Sequence, residues 1–160
     1  MNLNQVIRFF LKYLKEFYID FNQAVITCFK KYLIFKGRAN RAEYWYWTLF
    51  KLIIAYASFR LDYRLEHIFT EKYSGSFSKF IFFVTFLPGI SVSVRRLHDI
   101  DKSGWWLLLP ILSLNFFFFT IMTNTSIILI NMSTALVIVS SLFLLFCFIS
   151  PGTKDKNRFG

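Results

Sequence analysis

The sequence predicts an all-α integral membrane protein, in which four transmembrane helices follow an amphipathic N-terminal helix. Of its 160 residues, 56% are hydrophobic and 21% aromatic, and the mean hydropathy is +0.47. A soluble domain is about 45–50% apolar. The apolar residues also gather in runs long enough for a helix to cross a bilayer, which takes about 17–25 residues. This excess is what a lipid-facing surface requires.

One polar stretch between two long apolar runs organises the prediction. It covers residues 94–106 and reads VRRLHDIDKSGWW. Charged groups are costly inside the hydrocarbon, so a stretch of this kind has to lie at one face of the bilayer. We therefore expect a short polar loop here. Asp101 or Ser103 can cap the helix that follows it.

Residues 1–34 are predicted to form an N-terminal extension and juxtamembrane segment, with an amphipathic helix over residues 1–26. The apolar face holds Ile7, Phe10, Leu11, Leu14, Phe17, Tyr18, Phe21 and Val25, and the polar face holds Arg8, Lys12, Lys15, Glu16, Asp20 and Gln23. Such a helix either packs on the rest of the protein or lies in the headgroup plane with its basic side chains toward anionic lipid. The second is favoured, because four membrane helices offer little soluble core to pack on.

Residues 35–160 are predicted to form the transmembrane domain, with spans at about 42–59, 77–94, 105–122 and 127–149. Asn40 and Glu43 have the spacing of a capping box at the start of the first span. Pro88 should kink the second span, because proline removes a backbone donor. Small residues in the fourth span, among them Ser133 and Ser140, let helices approach closely.

The aromatic and charged residues near the spans suggest how they sit in the bilayer. Trp45, Trp47, Trp105 and Trp106 are predicted to be interfacial anchors. Lys51 is the one charge inside the first span. It can snorkel back to the interface along its own side chain, and the alternative is a buried functional lysine.

The distribution of Lys and Arg predicts the orientation. Outside the spans, eight lie in the N-terminal segment, three in the central polar stretch and three in the tail, against four on the opposite side. Cytoplasmic loops of membrane proteins carry the excess of Lys and Arg. Both termini are therefore expected in the cytoplasm.

Few residues suit a metal, a disulfide or a cofactor. Cys28 and Cys147 lie far apart in apolar surroundings, so no disulfide is expected. His67 and His98 are the only histidines, and a metal site needs several converging ligands. No metal and no cofactor is predicted. Charges from Arg8 onward break any early apolar region, so no signal peptide is expected.

Three motifs carry a resemblance to a known family. They are Phe35-Lys36-Gly37-Arg38 with Arg41 and Glu43-Tyr44-Trp45; Arg95-Arg96-Leu97-His98-Asp99 with Lys102-Ser103-Gly104-Trp105-Trp106; and Pro151-Gly152-Thr153 with Asn157-Arg158-Phe159-Gly160. In order and spacing, over about residues 21–160, they resemble the YhaH-like small bacterial inner-membrane proteins, a family of unknown function. The resemblance implies a four-helix inner-membrane protein and supplies no activity. Asp101 stands where the family usually has Gly, and Asp fits a left-handed turn less well than Gly does.

The predicted topology brings the three motifs to the cytoplasmic face. The candidate cluster there is Arg38, Arg41, Glu43, Arg95, Arg96, His98, Asp99, Lys102, Asn157 and Arg158. Asp99 and Glu43 could pair with neighbouring arginines and hold the helix ends together, while the remaining bases contact lipid phosphates. Alternatively, the cluster could recognise an anionic ligand or a partner protein.

The predicted function is that of a structural or interaction module in the bacterial inner membrane, with a basic cytoplasmic face. Its expected partners are the bilayer and its anionic headgroups, and a membrane protein or a second copy of the chain is a further possible partner. Nucleic acid is not expected, since the basic residues border membrane spans. The alternatives are an anion-binding or headgroup-binding protein, or a component of a transporter or channel. An enzyme is least expected, although His98 beside Asp99 could act as a base with its orienting acid.

Overall fold

The computed structural model describes residues 3–69, 75–123 and 126–160, and within them all side chains except those of residues 3, 4, 8–10 and 66–69. The regular secondary structure of the described residues is all helical, without a strand among them. The elements are α1 (Leu3–Lys30), α2 (Arg41–Phe69), α3 (Ser76–Asp99), a short 3-10 helix (Gly104–Leu107), α4 (Leu108–Met122) and α5 (Ile127–Ile149). The predicted all-α class is confirmed. The predicted turn at residues 123–126 lies partly outside the described residues.

Three described helices are long and apolar enough to cross a membrane: Ser76–Asp99, Gly104–Met122 and Ile127–Ile149. They contain the predicted spans 77–94, 105–122 and 127–149. The other predicted span, 42–59, lies within α2, which has 29 residues. At 1.5 Å per residue a helix of that length also exceeds the thickness of the hydrocarbon.

Two boundaries differ from the prediction. α2 continues to Phe69 instead of ending near Phe59, and α3 continues to Asp99 instead of ending at Val94. The loop predicted from residue 94 was therefore wrong for residues 94–99, which are helical. The physical reason is that Arg95 and Arg96 are fully buried, so the charges that suggested a hydrated loop lie inside the protein.

The described chain divides into two compact units, Met1–Ile34 with Ala42–Val92 and Phe35–Arg41 with Ser93–Gly160. In the first unit, the C-terminal half of α1 packs on α2. Phe17 lies edge-on to Tyr46 with 5.4 Å between ring centroids, and Phe29 lies edge-on to Trp47 at 5.2 Å. Cys28 of α1 is fully buried. At least this half of α1 is held by protein contacts.

Trp47 is a core residue of the first unit, so its prediction as an interfacial anchor was wrong. Its side chain is fully buried and packs on Phe29 and Phe50. The prediction failed because Trp47 lies on the face of α2 that meets α1 and Gly89 of α3. Trp47 Nε1 and Lys51 Nζ each lie 3.5 Å from the point where a Cβ on Gly89 would be. The Lys51 side chain therefore extends to α3.

The end of α1 is tied to α3 by side-chain hydroxyls. Ser91 Oγ donates a hydrogen bond to Lys31 O at 2.9 Å or to Ile34 O at 2.7 Å, and Tyr32 donates to Val84 O at 3.0 Å. Lys31 and Ile34 follow the last residue of α1, and Ser91 gives their carbonyls a side-chain donor. Val84 lies within α3, four residues before Pro88, which has no N–H to donate to Val84 O, and Tyr32 supplies the donor instead.

In the second unit, α4 and α5 pack through two hydroxyl pairs. Ser113 and Ser140 lie 2.9 Å apart at Oγ, and Thr120 Oγ1 lies 3.1 Å from Ser133 Oγ. An earlier residue of α4 thus meets a later one of α5, so the two helices are antiparallel. All four side chains are buried, which confirms the predicted close approach through Ser133 and Ser140.

Candidate functional site

The polar residues around the end of α3 form one hydrogen-bonded assembly within the second unit. We call it the clasp; it comprises residues 35–41, 95–102 and 150–160. The first segment precedes α2, the second ends α3 and the third follows α5. The clasp therefore joins parts of the chain that are far apart in sequence.

Arg96 lies at the centre of the clasp and is fully buried. Its guanidinium pairs with the carboxylate of Asp99, one turn along α3. It also donates hydrogen bonds to Phe148 O, at 3.3 Å, and to Ser150 O. These carbonyls end α5, where the helix dipole favours a cation. Arg96 thus holds the ends of two helices together.

The tail after α5 satisfies the last carbonyls of α3. Thr153 N donates to Asp99 O at 2.8 Å, and Asn157 Nδ2 donates to His98 O at 2.8 Å. Gly152 passes so close to Asp99 that a Cβ there would overlap the carboxylate, with 2.7 Å to Asp99 Cγ. Any larger residue here would have to displace the Asp99 carboxylate.

The segment before α2 closes the clasp from the other side. Ala39 N donates to Arg95 O at 3.0 Å. Arg38 Nη1 lies within hydrogen-bonding distance of Thr153 Oγ1, at 3.3 Å, and of Asp155 O, at 3.1 Å. This arginine binds the protein's own tail.

His98 is held by a hydrogen bond and a stacked ring. Its Nδ1 lies 3.1 Å from Gly37 O, and its ring stacks on Phe159 with 3.8 Å between centroids and 1° between planes. A carbonyl oxygen only accepts, so Nδ1 must carry the proton. In the neutral ring Nε2 is then the acceptor.

Asp101 occupies the left-handed position of a Schellman motif that ends α3. Its φ is 56°, Lys102 N donates to Leu97 O at 2.9 Å, and Asp101 N donates to His98 O at 3.0 Å. This position favours glycine, as the family resemblance suggested. Arg158 Nε also donates to Asp101 Oδ1 at 3.0 Å. That hydrogen bond, with the charge of Arg158, holds the pKa of Asp101 below its usual value.

The residues after the turn fit a membrane interface. Ser103 accepts a hydrogen bond from Trp105 N at 3.4 Å as the cap of the 3-10 helix, which confirms one of the two predicted caps. Lys102 Nζ lies 5.6 Å from the ring centroids of both Trp106 and Phe143, within the range of cation–π attraction. Trp105 is 77% exposed and Trp106 40%, as interfacial anchors require.

Nine of the ten residues of the predicted cluster lie in the second unit. Within the clasp lie Arg38, Arg41, Arg95, Arg96, His98, Asp99, Lys102, Asn157 and Arg158. Arg41 is exposed at the start of α2. Glu43 belongs to the first unit, where Cys28 Sγ donates to it at 3.9 Å, and its predicted part in the cluster stays a prediction.

Sequence reasoning missed the residues that act through their backbone or as partners. Asp101 was considered only as a turn or cap residue, and Phe159 was not considered as a stacking partner of His98. Gly152 and Thr153 belong to the third family motif, and that membership was the available signal of their importance. The carbonyls of Gly37, Phe148 and Ser150 carry no such signal, because every residue has a carbonyl.

The clasp directs its chemically active groups to structural partners. Asp99 binds Arg96, and His98 binds Gly37 and Phe159, so Asp99 does not orient the imidazole as a catalytic acid would. Among the described residues no group of three or more His, Cys, Asp or Glu is placed to hold a metal ion. What the arrangement does is connect segments by charge-assisted hydrogen bonds.

Comparison with known proteins finds a family whose model covers all the residues of the clasp. A family model described as a protein of unknown function (DUF805) matches residues 32–160. The chain is 39% identical over 87 residues to the inner membrane protein YhaH of Escherichia coli strain K12, covering 50% of this chain and 65% of YhaH, which is less than two thirds. It is 30% identical over 142 residues to the inner membrane protein YhaI of the same strain, covering 86% of this chain and 92% of YhaI. No solved structure matches it.

Proposed function

The chain belongs to the DUF805 family of proteins of unknown function, and we propose that it is a structural or interaction module of the bacterial inner membrane. Its clasp would hold the helix ends together and present bases to anionic headgroups. The observation that carries this proposal is the engagement of Arg96. A buried arginine that binds a carboxylate and two helix-end carbonyls of its own chain serves the fold.

The proposed topology has four spans in α2, α3, α4 and α5, with both termini in the cytoplasm. Residues 1–34 would form an N-terminal extension whose amphipathic helix follows the membrane surface. The supports are the excess of Lys and Arg on the side of both termini, the length of α2 and the exposed apolar side chains of α1, such as Leu11 and Leu14.

The proposed lipid contacts come from the bases that the clasp leaves exposed. These are Lys36, Arg41, Lys154 and Lys156. Basic side chains near an anionic membrane surface contribute about 1 kcal/mol each. A catalytic role is not proposed, because His98 and Asp99 are directed to separate structural partners.

Thermal unfolding of the full chain in nanodiscs tests the lipid contacts. We expect a higher Tm in phosphatidylglycerol than in phosphatidylcholine, and the Lys154→Gln/Lys156→Gln variant should lose most of that difference. The matched control is Arg60→Gln/Arg64→Gln, two exposed bases of α2 that flank Asp62. If the control loses as much as the tail variant, the proposed basic face is wrong.

A further inference from the structure

α4 carries an exposed stripe that α5 does not cover. Leu108, Ile111, Asn115, Phe118 and Met122 alternate in steps of three and four residues, and all are exposed. With 3.6 residues per turn, Asn115 lies about 200° around the helix from Ser113, which faces α5. The stripe therefore lies on the opposite face of α4.

The stripe has the spacing of a helix–helix seam, as other faces of this apolar helix also do, and Asn115 distinguishes it from them. Apolar residues in alternating steps of three and four are the a and d positions of a coiled coil, and a single polar Asn among them sets register and oligomeric state. Asn115 is the central residue of the five. Its neighbours Ile111 and Phe118 are more than half exposed, at 52% and 55%.

Asn115 lies deep in an apolar helix. About 10 Å or more of the candidate span Gly104–Met122 extends on each side of it. Its Nδ2 donates to Ile111 O at 2.8 Å, and within the described part of the chain its Oδ1 and second amide hydrogen make no other bond. A polar group left without a partner in hydrocarbon costs several kcal/mol.

We infer that α4 is a self-association surface, on which Asn115 of one copy meets Asn115 of a second copy in the membrane. Copies inserted with the same topology associate around an axis along the membrane normal, so identical residues meet at identical depth. An amide both donates and accepts, so two Asn115 side chains satisfy each other. A different partner would need its own hydrogen-bond donor and acceptor at this depth.

The inference requires only that α4 crosses the membrane, and it is independent of the proposed lipid contacts. A failure of the lipid experiment therefore leaves it standing, and the reverse also holds.

Energy transfer between differently labelled copies of the full chain, diluted in lipid vesicles, measures the association. We expect a dimer, and we expect Asn115→Leu to raise its dissociation constant roughly 3- to 30-fold, as the loss of interhelical hydrogen bonds in a membrane predicts. The matched control is Asn131→Leu. Asn131 is also exposed, but it lies four residues after Ile127, about 6 Å from the start of α5, where water can hydrate it. This control should leave the dissociation constant unchanged.

Cysteine crosslinking in native membranes gives a second readout that does not depend on the fold of the Asn115 variant. Ile111→Cys and Phe118→Cys on the stripe should yield a product of twice the chain's mass, whereas Phe116→Cys, exposed on another face, should not. A monomer in vesicles, equal effects of the two Asn variants, a product formed with a different protein, or crosslinking strongest at Phe116 would each overturn the inference.

Discussion

The carboxylate of Asp62 accepts hydrogen bonds from the backbone amides of Phe77 and Ser78, at 2.8 and 2.7 Å. These amides lie in the first turn of α3, where a helix leaves its N–H groups without partners. Ser78 Oγ donates to the same carboxylate at 2.6 Å. Asp62 belongs to α2, so a side chain of one helix serves as the cap of another.

Replacing Asp62 should therefore loosen the start of α3. We expect Asp62→Ala to lower the Tm of the full chain in nanodiscs by several degrees, as the loss of a helix cap does, and Asp62→Asn to lower it less, because one acceptor remains. Asp20→Ala, at an exposed position of α1, is the control. Equal Tm values for Asp62→Ala and this control would contradict the capping role.

The same carboxylate predicts a pH dependence. Burial of Asp62 opposes ionisation, but hydrogen bonds from Ser78 and Phe77 and the charge of Lys79 outweigh it and hold the pKa of Asp62 below its usual value. A lowered pKa stabilises the fold above the unfolded-state pKa, about 3.9, and this stability is lost as pH falls through the lower folded value. Below about pH 4 the parent should lose stability faster than Asp62→Asn, measured by unfolding at a series of pH values.

Asp99 and Asp101 should differ strongly in what their removal costs. Asp99→Ala takes the carboxylate from the buried Arg96, and breaking a buried pair costs about 3–5 kcal/mol. We expect the lower end, because the carbonyls of Phe148 and Ser150 remain. Asp101→Gly removes only an exposed pair with Arg158, which contributes little to stability, and it relieves the cost of a left-handed backbone at a residue with a side chain.

Denaturant or thermal unfolding of the two variants in nanodiscs checks this order. Asp101→Gly should match or exceed the stability of the parent. If Asp99→Ala is as stable as the parent, Arg96 does not depend on its carboxylate and our account of the clasp fails.

Gly152→Ala should release the tail from α3. The added methyl would overlap the Asp99 carboxylate, so the contacts of Thr153 and Asn157 would be lost. Limited trypsin digestion at Lys154 and Lys156 measures this release, and we expect faster cleavage than in the parent. Gly89→Ala, whose methyl would meet its neighbours at 3.5 Å, is the control and should cleave at the parent rate.

Reporter fusions at Gly160 and Gly75 test the proposed topology. We expect a cytoplasmic signal from Gly160 and a periplasmic signal from Gly75, because Lys and Arg are concentrated beside the termini and the central polar stretch. A periplasmic signal from Gly160 would overturn the orientation. Equal signals at the two positions would instead remove one of the three proposed spans between them, α3, α4 and α5.

The helical class and the three apolar spans were predictable because hydropathy and length determine them. The C-terminal ends of α2 and α3 were not predictable, because the charged residues there suggested hydrated loops. Asp62 binds amides at the start of α3 and Arg96 binds carbonyls at the end of α5, and such distant partners leave no periodic pattern in the sequence. Trp47 illustrates the same limit, since a tryptophan near a helix start suits an interface or a core equally well.

The composition of the clasp was largely predictable, and its pairing was not. The motifs identified Arg38, Arg96, His98, Asp99 and Asn157 as one cluster. Which of them bind side chains and which bind backbone depends on how the tail runs past α3, and the glycine contact at Gly152 determines that path.

The bonds from Thr153 and Asn157 to the end of α3 set an order of events during synthesis. A ribosome makes α3 well before α5, so the donors of Thr153 and Asn157 reach the carbonyls of Asp99 and His98 only when the tail emerges. Until then His98 O keeps its hydrogen bond from Asp101 N, and Asp99 O has to be hydrated. Arg96 likewise waits for the end of α5. We expect the clasp to close last, after the apolar helices have entered the bilayer. A chain stalled or truncated within α5 would keep this arginine and these carbonyls exposed, a feature by which membrane proteases could distinguish an unfinished chain from a finished one.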